Sequence, residues 1–266
     1  MAEYIFTILG CGSSGGVPRI GGHWGACDPS NPKNARQRCS MLVERITESG
    51  KTTVLIDTSP DLRRQLLDAE VSALDAVIYT HDHADHTHGI DDLRMVVFNM
   101  RKRLPIWADA TTQTTLRQRF GYTFEQVPGT LYKPILEMND MTGPVTIDGE
   151  GGAITFTPFL VDHGPIQANG FRIDDLLAYL PDVSAMNDTA WQAVADLECW
   201  VVDALRRDPH PTHSHLSQTL DWIKRAAPKQ AVLTNMHVDL DYDTLCGEIP
   251  DHVTPAFDGM KIRLSA

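Results

Sequence analysis

His81-Asp82-His83-Ala84-Asp85-His86 follows the apolar run Ala76–Thr80 without a break. That run, Ala-Val-Ile-Tyr-Thr, has the β-branched and aromatic content of a buried strand, so the histidines begin where a strand ends. Four potential ligands in six residues exceed what packing can satisfy. Imidazole and carboxylate are the groups that bind borderline divalent ions. The i, i+2 spacing at a strand's end projects His81 and His83 in one direction, leaving Asp85 and His86 to turn toward a second position. A solvated polar loop explains any one of these histidines; the constellation after a strand favours metal. His88 lies outside the pattern and is expected to be structural.

Outward from this loop the pattern alternates strand and helix. Tyr4–Gly10, Ser40–Arg45 and Thr52–Asp57 read as strands, with a turn at Gly50. Asp61–Ala69 has apolar residues at helical spacing behind Ser59 and Pro60. Beyond the loop, Ile90–Met100 and Thr111–Phe120 read as helices, with a strand at Pro105–Ala108. Gly121–Gly152, rich in Gly, Pro and polar residues, predicts a lid or irregular loop. Strands are then expected at Ala153–Val161, Gly170–Ile173, Leu176–Leu180, Cys199–Asp203 and Gln230–Thr234, with helices at Trp191–Leu197 and Ser217–Ala227. Strands in two blocks, each followed by helices, fit two sheets packed face to face under outer helices.

Composition narrows the function. The 266 residues are 42% hydrophobic, enough for one large core, and a single domain over 1–266 is expected. Lys and Arg number 23 against 35 Asp and Glu, a formal charge of −12 that repels phosphate backbones, so a nucleic-acid polymer is not the expected partner. Five scattered cysteines form no CxxC and indicate no disulfide framework. The first residues read as a strand rather than a signal peptide, and no apolar run approaches the ~20 residues that span a bilayer. A cytoplasmic protein with no membrane partner is expected.

His-x-His-x-Asp-His after a strand resembles the signature of the metallo-β-lactamase superfamily. That resemblance implies an α/β fold, a four-layer αββα sandwich, with metal ions at the edge of its sheets. It also implies a later His, an Asp and a final His, in that order. The chain has His163 after Ala153–Val161, Asp182 after Leu176–Leu180, and His237 after Gln230–Thr234. Asp57 matches an early Asp that braces the metal loop in the family. Within the superfamily, Gly10–Pro18, Arg38-Cys39-Ser40, Leu55-Ile56-Asp57, the metal loop and Phe257-Asp258-Gly259-Met260 resemble the cyclic-phosphodiesterase branch typified by PhnP, which is related to the tRNA 3′-processing endonucleases.

The resemblance implies one ion on His81, His83 and His163, a second on Asp85, His86 and His237, and Asp182 between them. Zinc and manganese both suit mixed N/O donors. A hydroxide between two such ions would attack a small or cyclic phosphodiester. Asp85 also counts among the catalytic candidates, as do His213 and His215, which stand near the branch's late histidine, with His213 in the better register. The enzyme class implied is a dinuclear phosphoric diester hydrolase. Thioester or lactam hydrolysis, tRNA 3′-processing and metal binding with weak turnover stay open, and a homodimer is implied by analogy alone.

Two departures stand out. Gly22, Trp24, Cys27 and Val238 occupy the positions where branch members can bind a structural zinc, so none is expected, although His23 and Cys27 could hold a weak ion. Thr234-Asn235 replaces the usual Thr-His, which leaves His237, two residues on, to take the last ligand's place.

Overall fold

A computed structural model describes residues 2–126 and 128–265. The chain folds as two compact units. Unit 1 holds the residues up to Leu9, Ser40–Thr155 and those from Lys261 on; unit 2 holds Gly10–Cys39 and Phe156–Met260. The strands are β1 (Glu3–Gly10), β2 (Ser40–Thr47), β3 (Gly50–Ile56), β4 (Ala76–Ile78), β5 (Leu104–Ala108), β6 (Leu136–Asp140) and β7 (Val145–Ile147). They continue as β8 (Ile154–His163), β9 (Ile166–Ile173), β10 (Leu177–Leu180), β11 (Cys199–Asp203), β12 (Gln230–Thr234), β13 (Val253–Pro255) and β14 (Lys261–Ser265). The helices are α1 (Leu62–Asp68), α2 (Ala84–Thr87), α3 (Leu93–Met100), α4 (Ala110–Phe120), α5 (Asp188–Ala193), α6 (Leu216–Ala226) and α7 (Tyr242–Cys246).

Unit 1 carries a sheet in the order β14-β1-β2-β3-β4-β5-β6. Its first half is antiparallel: β2 and β3 form a hairpin from Met41↔Ile56 to Thr47↔Gly50, turning at Glu48-Ser49. From β3 to β6 the strands run parallel, which requires crossover segments between them, and α1, α3 and α4 lie in those crossovers. Leu62 and Leu66 of α1, Leu93, Val96 and Val97 of α3, and Leu116 of α4 pack with Leu42, Leu55, Val77 and Ile106 in one buried cluster. Each such side chain stabilises the fold by roughly 1.5–3 kcal/mol on burial.

The segment Gly121–Gly152 differs from the expected loop. It holds β6 and β7. β6 closes the sheet as an edge strand, so only Leu136 is buried while Glu137 and Asp140 face solvent. That polar content hid the strand from a reading based on hydrophobic runs. The helix expected over Ile90–Met100 begins instead as a 3₁₀ turn, Ile90–Asp92.

In unit 2 the strands β13, β12, β11 and β10 run parallel, and β9 and β8 continue the sheet antiparallel. β11 is buried at all five residues, as a central parallel strand must be. Gly170 in β9 has no room for a side chain, because a Cβ there would meet the Phe159 ring at 2.4 Å. Val17, Cys27 and Val238 form a small buried cluster with Trp24 against it. The buried Arg36 guanidinium donates to the Leu240 carbonyl at 2.6 Å and the His237 carbonyl at 3.3 Å. Among the described residues no helix is long and apolar enough to cross a membrane.

A Cβ on Gly89 would lie 2.0 Å from the Ser59 carbonyl oxygen and 2.7 Å from Leu62 Cβ. Gly89→Ala is therefore expected to cost roughly 1–3 kcal/mol, read as a lower Tm; an unchanged Tm would contradict the close approach. Asp258 accepts from the backbone N–H groups of Cys11 (3.2 Å) and Gln37 (2.7 Å). Burial nevertheless pushes its carboxyl up to about 6. The folded state then holds this proton more tightly than the unfolded chain, so the contribution is present below about pH 4 and lost as pH rises through about 6. The stability advantage of the natural protein over Asp258→Asn should shrink across that window in chemical denaturation, and parallel profiles would refute it.

Candidate metal-ligating clusters

Unit 1 builds its cluster at the carboxyl ends of β3 and β4. Asp57, just after β3, is fully buried and left-handed at φ 63°. Its Oδ1 accepts from the Thr80 N–H and its Oδ2 from the Thr80 hydroxyl, both at 2.8 Å. The same Oδ2 accepts from His86 Nδ1 at 2.8 Å. Burial pushes this carboxyl up, while His86 and Thr80 pull it back down.

These bonds dictate tautomers. His86 spends its Nδ1–H on Asp57. The Thr80 hydroxyl spends its hydrogen on Asp57 and so accepts from His81 Nδ1 at 2.9 Å. Both rings therefore carry their lone pair on Nε2, the form that binds an ion. His81 lies 4.6 Å from His83 and 4.4 Å from His86 between ring centroids. The single turn α2 brings Asp85 Oδ2 to 3.6 Å from His86 Nε2.

The surroundings lock the loop in place. Thr58 N–H donates to the His86 carbonyl at 2.8 Å, Gly89 N–H to the Thr58 carbonyl at 2.9 Å, and the Thr87 hydroxyl to the His83 carbonyl at 2.8 Å. Asp82 turns away from the cluster and accepts from Thr115 of α4 at 2.7 Å. An open groove of about 750 Å³ beside His83 is lined by Asp82, Ala84, His88, Arg119 and Phe120. His88 itself packs edge-on against Phe120.

Unit 2 builds a second cluster beyond β8, β10, β11 and β12. His163 ends β8 and donates Nδ1–H to the Thr212 carbonyl at 2.6 Å, leaving the lone pair on Nε2. That Nε2 is 3.8 Å from Asp182 Oδ1, and His213 Nδ1 is 3.5 Å from the same oxygen. One ligand atom from each of His163, Asp182 and His213 falls within 4.8 Å of the others. Ligands at 2.0–2.2 Å around a tetrahedral ion sit about 3.4 Å apart, so the His163–Asp182 spacing fits a small cation better than it fits a direct hydrogen bond.

His213 is held by a second buried aspartate. Asp203, closing β11, accepts from His213 Nδ1 at 2.9 Å. Burial raises the Asp203 carboxyl to about 6, with His213 opposing the rise and Asp182 adding to it. Asn235 follows β12 with φ 59°, a left-handed conformation that Asn tolerates. Its Nδ2 donates to Asp203 Oδ1 at 3.2 Å. Asn235 thus braces Asp203 rather than facing an ion.

The remaining candidates are placed elsewhere in unit 2. His215 stands at the N-cap of α6 with Nδ1 3.1 Å from Gln218 Oε1. His237, expected as the last ligand, has both nitrogens engaged: Nδ1 with Asp239 Oδ1 at 3.0 Å and Nε2 with the Arg19 guanidinium. The left-handed turn at Asn235 redirects the chain that was expected to stay extended there. Sequence reasoning missed Asp203 and Arg19. The signal for Asp203 was present, since it closes an apolar strand as Asp57 does.

A model of the beta-lactamase superfamily domain matches residues 52–236. An octanoyltransferase of Porphyromonas gingivalis is 31% identical over 259 residues, 96% of this chain and 50% of that protein, so the chain spans about half the length of that relative. Among solved structures, a diphosphatase from the PhnP family is 32% identical with TM-score 0.86, covering 99% of this chain and 98% of its own. Zinc-bound PqqB of Methylobacterium extorquens, at 16% identity and TM-score 0.71, covers 98% of this chain and 100% of its own, and shares the fold. The chain belongs to the beta-lactamase superfamily and has the α/β fold of its metallo-hydrolases, with the PhnP-family diphosphatase similar to it along nearly its whole length.

Proposed function

We propose that this protein is a phosphoric diester hydrolase that cleaves small or cyclic phosphodiesters with two divalent ions, zinc or manganese. The observation that carries the reading is the Asp203–His213 pair beside Asp182. Similarity to a PhnP-family diphosphatase supports phosphorus as the reacting centre. His81, His83, Asp85 and His86 in unit 1, and His163 and Asp182 in unit 2, are the ligands. When bound, such ions act as Lewis acids and lower the pKa of coordinated water.

His213 serves as the general acid. Asp203 fixes its Nδ1–H, so Nε2 is the atom that delivers a proton to the departing alkoxide. Asn235 and the Val183 N–H hold Asp203 in turn, at 3.2 Å each. A second reading, hydrolysis of an acyl thioester, is favoured by the octanoyltransferase similarity alone.

Metal analysis on purified protein should give about two ions per chain, with bis(p-nitrophenyl) phosphate hydrolysed under added Mn²⁺ or Zn²⁺ and turnover abolished in Asp182→Ala. Hydrolysis of an octanoyl thioester with no phosphodiester turnover would install the second reading. His213→Gln should retain both ions and lower kcat by roughly 10²–10⁴ on alkyl phosphodiesters. The loss should be much smaller when the leaving group is p-nitrophenolate, which departs without a proton. An equal loss on both leaving groups, together with a missing ion, would make His213 a ligand instead.

A further inference from the structure

The loop that leads into His213 carries a further imidazole, His210. The chain from 206 to 215 is closed on itself: Arg206 and His215 pair as an isolated bridge, and Leu216 N–H donates to the Arg206 carbonyl at 2.8 Å. The Arg206 guanidinium ties down the turn between them. Its Nε donates to the Asp208 carbonyl at 3.1 Å and its Nη2 to the Pro209 carbonyl at 2.7 Å. Pro209 and Pro211 flank His210 and fix φ on either side of it. The His210 ring centroid stands 5.3 Å from that of His213.

Thr212 joins this ring to the unit 2 cluster. Its carbonyl accepts from His163 Nδ1 at 2.6 Å, and its N–H donates to His210 Nδ1 at 3.3 Å. Gly164, left-handed at φ 62°, permits the close approach, since a Cβ there would meet Thr212 Cγ2 at 2.3 Å. A backbone N–H can only donate, so His210 Nδ1 holds a lone pair, and the Thr212 hydroxyl at 3.2 Å donates to it as well. The neutral ring therefore carries its proton on Nε2. His163 and His213 are wired the other way, each giving its Nδ1–H to a neighbour. His210 Nε2–H has no partner among the described residues, and the ring is partly exposed.

We propose that His210 is a further catalytic residue, whose Nε2–H donates a hydrogen bond to a non-bridging oxygen of the phosphoryl group under attack. The inference rests on the phosphodiesterase reading above for which bond breaks, but not for what the ring donates to. His213 hands its proton to the departing oxygen, so the phosphoryl group sits against that ring, within reach of the neighbouring one. The non-bridging oxygens carry negative charge into the transition state, where a donor fixed beforehand stabilises it better than mobile water does. The two prolines and the Arg206 guanidinium supply that fixity before substrate arrives. His210 keeps its proton throughout.

Two substitutions separate the two ring nitrogens. His210→Asn keeps an acceptor for the Thr212 N–H and removes the donor, whereas His210→Gln carries an amide N–H out to the place of Nε2. His210→Asn should lower kcat roughly 10- to 10²-fold, alike on alkyl and p-nitrophenyl phosphodiesters, because the donor acts on an oxygen that does not leave. His210→Gln should recover part of that rate. Calorimetry with orthovanadate on the metal-loaded protein reads the same donor without turnover. His210→Asn should weaken that binding roughly tenfold, and His210→Gln should restore most of it. Unchanged kcat and vanadate affinity in His210→Asn overturn the proposal. So does a loss confined to alkyl leaving groups, which would make His210 a second proton donor, or a loss with a lowered Tm that His210→Gln does not relieve, which would make it a brace for the loop. Absent phosphodiester turnover with the vanadate loss intact would sink the phosphodiesterase reading and leave the donor standing.

Discussion

Two buried carboxylates, Asp57 and Asp203, decide which nitrogen each neighbouring imidazole presents. A histidine ring has two nitrogens and, when neutral, one proton. Once a carboxylate that can only accept takes Nδ1–H, the chemistry of Nε2 is settled. Asp57 does this for His86 directly and for His81 through the Thr80 hydroxyl. Asp203 does it for His213. Both aspartates close a strand, where the backbone leaves its ladder and a side chain can turn inward among unspent N–H groups.

Burying those carboxylates is costly, and the surrounding bonds show how the cost is met. Asp57 accepts from a backbone amide, a hydroxyl and a ring; Asp203 accepts from the Val183 amide, the Asn235 amide group and a ring. Such fully used networks fix geometry, while a partly used one would favour protonation and collapse. The Asp203 carboxyl is already raised to about 6 by burial, so its partners keep the charged form within reach near neutrality. Asn235 fits this duty better than a metal ligand does, since an amide donates without competing for a cation.

Much of the candidate machinery was legible in the sequence because it is local. The loop from His81 to His86 packs its donors into six residues after an apolar strand, and no tertiary information is needed to see that they cannot all be core. His163 and Asp182 were picked out by the family resemblance, each after an apolar run, and the structure brings them near each other. The place of His237 was not legible. Residues 235 and 237 share a face only if the chain stays extended, and Asn235 is left-handed instead. The edge strand β6 was missed for a related reason, since its solvent side carries the polar residues that mark loops.

The sequence alone determined the fold class and the position of the histidine loop, because hydrophobic period and strand-end chemistry are written in neighbouring residues. Only the tertiary structure decided that Asp203 serves His213, that Asn235 serves Asp203, and that Arg19 meets His237 from 218 positions away. Those pairings depend on single dihedral angles and on hydrogen bonds between distant segments, and neither leaves a periodic trace along the chain.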